Sequence, residues 1–234
     1  MTDSELKFER FCAARDIPFK KIQAGHSTTP DYEIVVNSQK IVVEVKEIDL
    51  NDNDKKALQQ METKTIFVWG SGPVGNRVRY KIDDAKRQLE SRAMGICPSI
   101  LVLYDKRPQP VGGIFSYEIL VAMYGCETIE LHMPSSLEEP LKFGKHRFGN
   151  GKKFRPGVHT YISGLAVLSD STSNSFRLDV YVNDFADKPL PYEDLIRMKN
   201  VYLFVRQPKP MSEFNKWARL ITDDMQNSEP WKGC

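Results

Sequence analysis

The run Ser99-Ile100-Leu101-Val102-Leu103-Tyr104 constrains the chain more than any other segment. A stretch this short and this uniformly apolar does not alternate between a wet and a dry face, so it reads as a strand buried on both sides. Such a strand needs covering layers, and the flanking patterns supply them. Residues 3–15 place Leu6, Phe8, Phe11, Cys12 and Ala14 at helical spacing, with Asp3 or Ser4 as N-cap. From Arg79 to Ala93, Ile82, Ala85 and Leu89 share one face of an otherwise charged segment that Gly95 and Pro98 end. Phe115 to Tyr124 reads as a third helix, closed by Gly125.

Asp31 to Val36 and Lys40 to Ile48 are β-rich and separated by Asn37-Ser38-Gln39, the pattern of a hairpin. A polar stretch from Asp49 to Lys64 follows, then Thr65 to Trp69 as a strand or extended loop, then the break Gly70-Ser71-Gly72-Pro73-Val74-Gly75. With a strand at Thr128 to His132, the order predicts a mixed sheet covered by helices. Residues 134–160 are rich in Pro, Gly, Lys and Arg without a period, which predicts a long exposed loop. Beyond it, Thr160 to Leu168 and Phe176 to Val182 read as a hairpin, Val201 to Arg206 as a strand, and Met211 to Met225 as a closing helix carrying Phe214, Trp217 and Ile221. The expected organisation is a core over residues 1–133 and a basic loop with a β-rich extension over 134–234, packed as one unit.

A net charge of +2 excludes a histone-like polycation, so nucleic-acid affinity would have to come from local basic clusters. The four cysteines form no CxxC pair and the four histidines no spaced zinc set, which predicts reduced, mostly buried thiols. No apolar run approaches the roughly 18 residues of a membrane span, and the acidic start Met1-Thr2-Asp3-Ser4-Glu5 lacks a signal-peptide layout. A cytoplasmic protein with no membrane partner is expected.

The first hairpin carries the chemistry. If its turn has two central residues, Asn37 and Ser38, facing residues have numbers summing to 75 and Asp31 stands opposite Glu44. A three-residue turn would instead pair Asp31 with Val45. Opposed carboxylates repel and invite a cation between them. Glu44 and Lys46 share one face of their strand while Val43 and Val45 point to the other. Charged groups inside so apolar a strand are costly unless paired or metal-bound.

Pro30-Asp31 followed thirteen residues later by Glu44-Val45-Lys46 resembles the signature of the PD-(D/E)XK nuclease superfamily. The opening helix also looks like that of Holliday-junction resolvases and related restriction-type nucleases, which carry a metal-associated Glu there; Glu5 is the best match and Glu9 the next. The resemblance covers about residues 3–132 and implies a restriction-endonuclease-like α/β fold, with the order α, β, β, β, α, β. It further implies Mg²⁺ or Mn²⁺ held by Asp31 and Glu44 with the Val45 carbonyl, and Lys46 steadying the attacking water and the phosphate. Gln88 matches the Gln that some branches place on the helix after the triplet, with Arg92 where those branches often carry Tyr. The implied partner is DNA and the implied activity phosphodiester hydrolysis; cutting both strands of a duplex suggests a homodimer.

Basic residues near this segment suit phosphate contact: Arg77, Arg79 and Lys81 after the glycine-rich break, and Lys86 and Arg87 further on. The segment from Lys142 to Arg155 interleaves Lys145, Arg147, Lys152 and Lys153 with Phe143, Phe148 and Phe154, which suits backbone contact plus base stacking, or a solvated insertion. His26 lies just before the Asp-bearing strand and reads as polar surface or a substrate contact. Two other functional readings are a binding module that keeps the fold without catalysis, and a dinucleotide-binding protein. The second rests on the literal GxGxxG at Gly70 to Gly75, although Asp105 lies 30 residues beyond Gly75 where about 20 would suit.

Overall fold

The structure is a computed structural model that describes residues 1–23, 28–63, 72–134, 136, 140–149, 151–170, 175–207 and 216–221. The strand or extended loop expected at Thr65 to Trp69, the Gly70-Ser71 half of the glycine-rich break and His26 lie outside those residues.

The chain opens with α1 (Asp3–Ala13), then β1 (Phe19–Lys21), β2 (Tyr32–Val36) and β3 (Gln39–Ile48). Next come α2 (Asp52–Thr63), α3 (Asn76–Ala93), β4 (Ser99–Asp105), α4 (Ser116–Tyr124), β5 (Glu127–His132) and β6 (Lys142–Phe148). The last elements are β7 (Gly164–Asp170), β8 (Phe176–Val182), α5 (Tyr192–Ile196), β9 (Val201–Gln207) and β10 (Lys216–Leu220). Eight strands form one mixed sheet in the order β1-β2-β3-β4-β7-β8-β9-β10, so the architecture is α/β. The β3–β4, β4–β7 and β8–β9 pairs are parallel and the remaining pairs antiparallel.

Strand β4 occupies the middle of the sheet and alternates between two cores. Ile100, Val102 and Tyr104 pack with Phe8, Phe11 and Cys12 of α1 and Val43 and Val45 of β3. Leu101 and Leu103 pack on the other side with Val78, Ile82, Ala85 and Leu89 of α3 and Ile119 and Leu120 of α4. Helices on both faces are the reason this strand carries no polar face.

Several local expectations are corrected. The N-cap of α1 is Thr2 rather than Asp3 or Ser4: Thr2 Oγ1 accepts the Glu5 N–H (3.3 Å) and Glu5 Oε2 accepts the Thr2 N–H (3.2 Å). The polar stretch after β3 contains α2, whose buried face is only Asp54 and Ala57, too little apolar surface to show a period. Asn51 Oδ1 accepts the Asp54 N–H (2.9 Å) and Asp54 Oδ2 the Asn51 N–H (3.0 Å), a reciprocal start signal that the sequence does display.

Residues 134–160 are not one long exposed loop. They contain β6, which pairs with β5 in a separate two-stranded ribbon, and Phe154, which is buried with its N–H donated to the Met123 carbonyl (2.8 Å). Residues 216–220 of the expected closing helix form strand β10, antiparallel to β9, with Trp217 buried. The spacing of Phe214, Trp217 and Ile221 suits a helix, but an unpaired β9 edge satisfies more backbone groups when a strand joins it. The second hairpin starts later than expected, with β7 at Gly164. It lies directly against β4, so its strands continue the same sheet. Of the three described cysteines, Cys12 is buried, Cys97 half-buried and Cys126 exposed, and none forms a disulfide. Among the described residues no helix is long and apolar enough to cross a membrane.

Candidate functional site

The geometry starts from the turn. Asn37 and Ser38 both have left-handed backbones (φ 45° and 65°), the conformation of a two-residue type I′ turn, whose twist suits a hairpin. The resulting pairs run from Val36↔Gln39 to Tyr32↔Val43, and one further step sets Asp31 opposite Glu44. The two-residue alternative is therefore the one formed. Asp31 Oδ2 accepts the Val45 N–H (2.8 Å), which anchors the carboxylate where β2 begins.

Glu44 is 2% exposed and lies on the α3 side of the sheet. Its Oε1 receives Lys46 Nζ (2.9 Å) and Gln88 Nε2 (3.0 Å), and Lys46 Nζ also reaches Asp84 Oδ2 (3.2 Å). Asp84 and Gln88 stand one turn apart on α3, so a single helix face orients both members of the pair. Among the described residues Glu44 Oε2 is buried with no hydrogen-bond partner. Burial, then the Asp31 charge, push the Glu44 carboxyl up to about 7 against the opposing pull of Lys46 and, more weakly, of the Asp31 N–H. Burial also raises Asp31, with the Val45 N–H working the other way. The Lys46 ammonium is held above its ordinary range, because Glu44 and Asp84 together outweigh its burial, which is the largest single influence.

A recess of about 480 Å³ opens beside Asp31 and includes Glu5, Lys21, Thr29 and Pro30 in its lining. Glu5 forms an ion pair with Lys21 (2.7 Å) at this rim. Glu9 does not line it, and its Oε1 accepts the buried Tyr32 hydroxyl proton (2.8 Å). Of the two carboxylates on α1, Glu5 is therefore the one beside Asp31. Asp84 was not anticipated from the sequence; its only local signal is its position four residues before Gln88 on a charged helix.

The expected basic contacts are dispersed. Arg77 pairs with the fully buried Asp54 (2.7 Å). Arg79 donates to the carbonyls of Gly151 (2.8 Å), Val74 (3.0 Å) and Val121 (3.1 Å), which ties α3 to α4 and the loop after β6. Lys153 is paired with Asp83. Lys81 and Lys86 are half-buried, Arg87 and Lys152 are exposed, and Lys145 and Arg147 sit on β6. Gly75 is the N-cap of α3 with φ 73°, and a Cβ there would lie 2.7 Å from the Glu118 carbonyl oxygen. Close packing of α3 on α4 thus accounts for this glycine without a ligand. Asp105 is engaged by Arg107 (2.8 and 2.7 Å) and the Gly113 N–H (2.7 Å), so its oxygens are already occupied.

Among the described residues no group of three or more His, Cys, Asp or Glu side chains is gathered as a ready metal cage. The donors that are present suit a hard cation of the kind held by one or two carboxylates plus water and substrate phosphate. Asp31 directly precedes the Tyr32↔Val43 pair and its charge acts on Glu44, and the buried Glu44 Oε2 is an acceptor that a cation would satisfy. No model of a known protein family matches the chain, and neither the curated proteins nor the solved structures contain a match.

Proposed function

We propose that this protein is a metal-dependent nuclease of restriction-endonuclease-like fold that hydrolyses DNA phosphodiester bonds. One observation carries the reading. A carboxylate in the middle of an apolar strand is kept buried with one oxygen unpartnered among the described residues, within reach of the charge of a second carboxylate and 2.9 Å from a lysine ammonium. As an isolated structural ion pair this arrangement leaves one buried carboxyl oxygen without a partner, which is costly whether the group is ionised or holds a proton; as a cation and phosphate site every group has a use.

Asp31 and Glu44, with the Val45 carbonyl, would hold Mg²⁺ or Mn²⁺. A cation there supplies a more acidic bound water and neutralises charge developing on the phosphate. Gln88 fixes the Glu44 carboxylate through Oε1 and leaves Oε2 to the site. Lys46, tethered between Glu44 and Asp84, presents its ammonium to the phosphate oxygens. Glu5 adds a third carboxylate at the rim. In the overall step one water adds across a P–O bond and yields a phosphate monoester and a hydroxyl. The order α1, β1, β2, β3, α3, β4, with β3 parallel to β4 and α2 inserted, supports the fold assignment. A duplex cut on both strands calls for two sites, and a homodimer is part of the proposal.

The test is cleavage of single-stranded, duplex and branched DNA in millimolar Mg²⁺ or Mn²⁺. Glu44→Ala and Lys46→Ala are each expected to lower the rate by at least about 10²-fold. Cleavage that survives both substitutions would place the chemistry outside the hairpin, and no cleavage of any substrate by the parent would favour a binding module.

A further inference from the structure

A second recess, about 680 Å³ in volume, lies on the other side of α1 from Glu5, where that helix meets the start of β8 and the turn before β9. Lys7, Arg10 and Ala14, three and four residues apart, present one face of α1 to it, while Glu5 and Glu9 belong to the face turned toward β1 and β2. Its cations are Lys7, Arg10, Arg15 and Lys199, against the single carboxylate of Asp170. That local excess of three positive charges is greater than the +2 of the whole chain.

The cations differ in how they are held. Arg15 donates Nε to the Lys199 carbonyl (2.8 Å), Nη1 to the Phe11 carbonyl (3.1 Å) and Nη2 to the Phe176 carbonyl, and its plane covers the Phe11 ring at 4.0 Å. A guanidinium has five N–H donors, so this one is rigidly placed with two to spare. Asp170 is already satisfied by Lys7 (2.7 Å) and the Tyr104 hydroxyl (2.8 Å), which lessens its repulsion toward an anion. Among the described residues Arg10 and Lys199 have no ion-pair partner, and both are exposed. Phe176 supplies an apolar wall and Asn200 and Ser175 supply neutral polar groups.

We propose that this recess binds a nucleoside polyphosphate, with the phosphates on Arg10, Arg15, Lys199 and Lys7 and the base against Phe176. A fixed guanidinium fork beside two exposed cations suits a chain of phosphates. The volume is that of a small-molecule pocket, and an aromatic wall beside a polar amide suits a planar base. Nothing in this inference depends on the nuclease reading, since none of the recess residues belongs to the hairpin site.

Isothermal titration in EDTA tests it, with ATP, GTP, inorganic triphosphate, adenosine and a short single-stranded oligonucleotide as probes. The triphosphates of both nucleosides are expected to bind, inorganic triphosphate more weakly, and adenosine hardly at all. Arg10→Glu combined with Lys199→Glu changes two exposed side chains and should leave the melting temperature unaltered. It is expected to weaken nucleotide binding by about tenfold or more, a loss of about 1.4 kcal/mol or greater. Glu44→Ala should bind as the parent does. Equal binding of inorganic triphosphate and ATP would overturn the role given to Phe176. Binding of the oligonucleotide alone would replace the proposal with a DNA-backbone contact, and nucleotide binding that survives the double substitution, or is absent in the parent, would end it.

Discussion

Glu44 shows how a single buried carboxyl links the fold to the proposed chemistry. In the folded chain it titrates at about 7 against an ordinary 4.5, chiefly from burial and then from the Asp31 charge. Between those two values the folded state keeps the proton more tightly than the unfolded chain does. The stability of the metal-free protein therefore falls as pH rises through that window and levels off above it. Glu44→Gln removes this dependence, so in EDTA its melting temperature relative to the parent is expected to climb between pH 5 and pH 8; a constant difference would contradict the assigned titration. Asp54 is the contrasting case, a fully buried carboxylate whose partners are all supplied by the chain, Arg77 at 2.7 Å and the Asn51 N–H at 3.0 Å. Asp54→Ala strands the Arg77 charge and should cost about 3 kcal/mol, read from urea unfolding.

At the level of elements, the β2–β3 turn and the start of α3 each rest on a left-handed residue. Ser38 has φ 65° in the type I′ turn, where glycine is free of the Cβ clash, so Ser38→Gly should stabilise the protein by about 1 kcal/mol in thermal unfolding. Gly75→Ala goes the other way. It adds a Cβ 2.7 Å from the Glu118 carbonyl oxygen as well as backbone strain at φ 73°, and should lower stability by about 2 kcal/mol. The elements legible in the sequence were those with a strong period or a strong breaker: α1, α3, α4 and the β2–β3 hairpin. Helix α2 hid because its buried face is two residues, and β10 was misread because five residues at a sheet edge take their conformation from the strand beside them.

For the molecule as a whole, the position of β4 decides what can fold alone. Its partners are β3 on one side and β7 on the other, and β7 comes from beyond residue 160. A chain ending at residue 133 would leave one edge of β4 unpaired, together with the apolar side chains of Leu101 and Leu103 that pack with Leu165. We expect that fragment to be insoluble or to lack a cooperative thermal transition by circular dichroism, whereas the full chain should unfold with one. The boundary in composition near residue 134 is thus a change of surface character within one continuous sheet.

The sequence by itself determined the burial of β4 on both faces and narrowed the first hairpin to two registers, because both follow from contacts between near neighbours: a run without polar positions, and a short polar turn whose length sets which numbers face each other. The left-handed backbones of Asn37 and Ser38 chose the register that brings Asp31 toward Glu44. The tertiary structure decided what joins them. Gln88 reaches Glu44 across 44 residues, Asp84 takes the second hand of Lys46, and Glu5 rather than Glu9 turns toward Asp31. It also gathered Arg10, Arg15 and Lys199 around one recess. These contacts depend on how far each helix is rotated over the sheet, which is set by the packing of its apolar face against strands distant in sequence, and no local pattern encodes that angle.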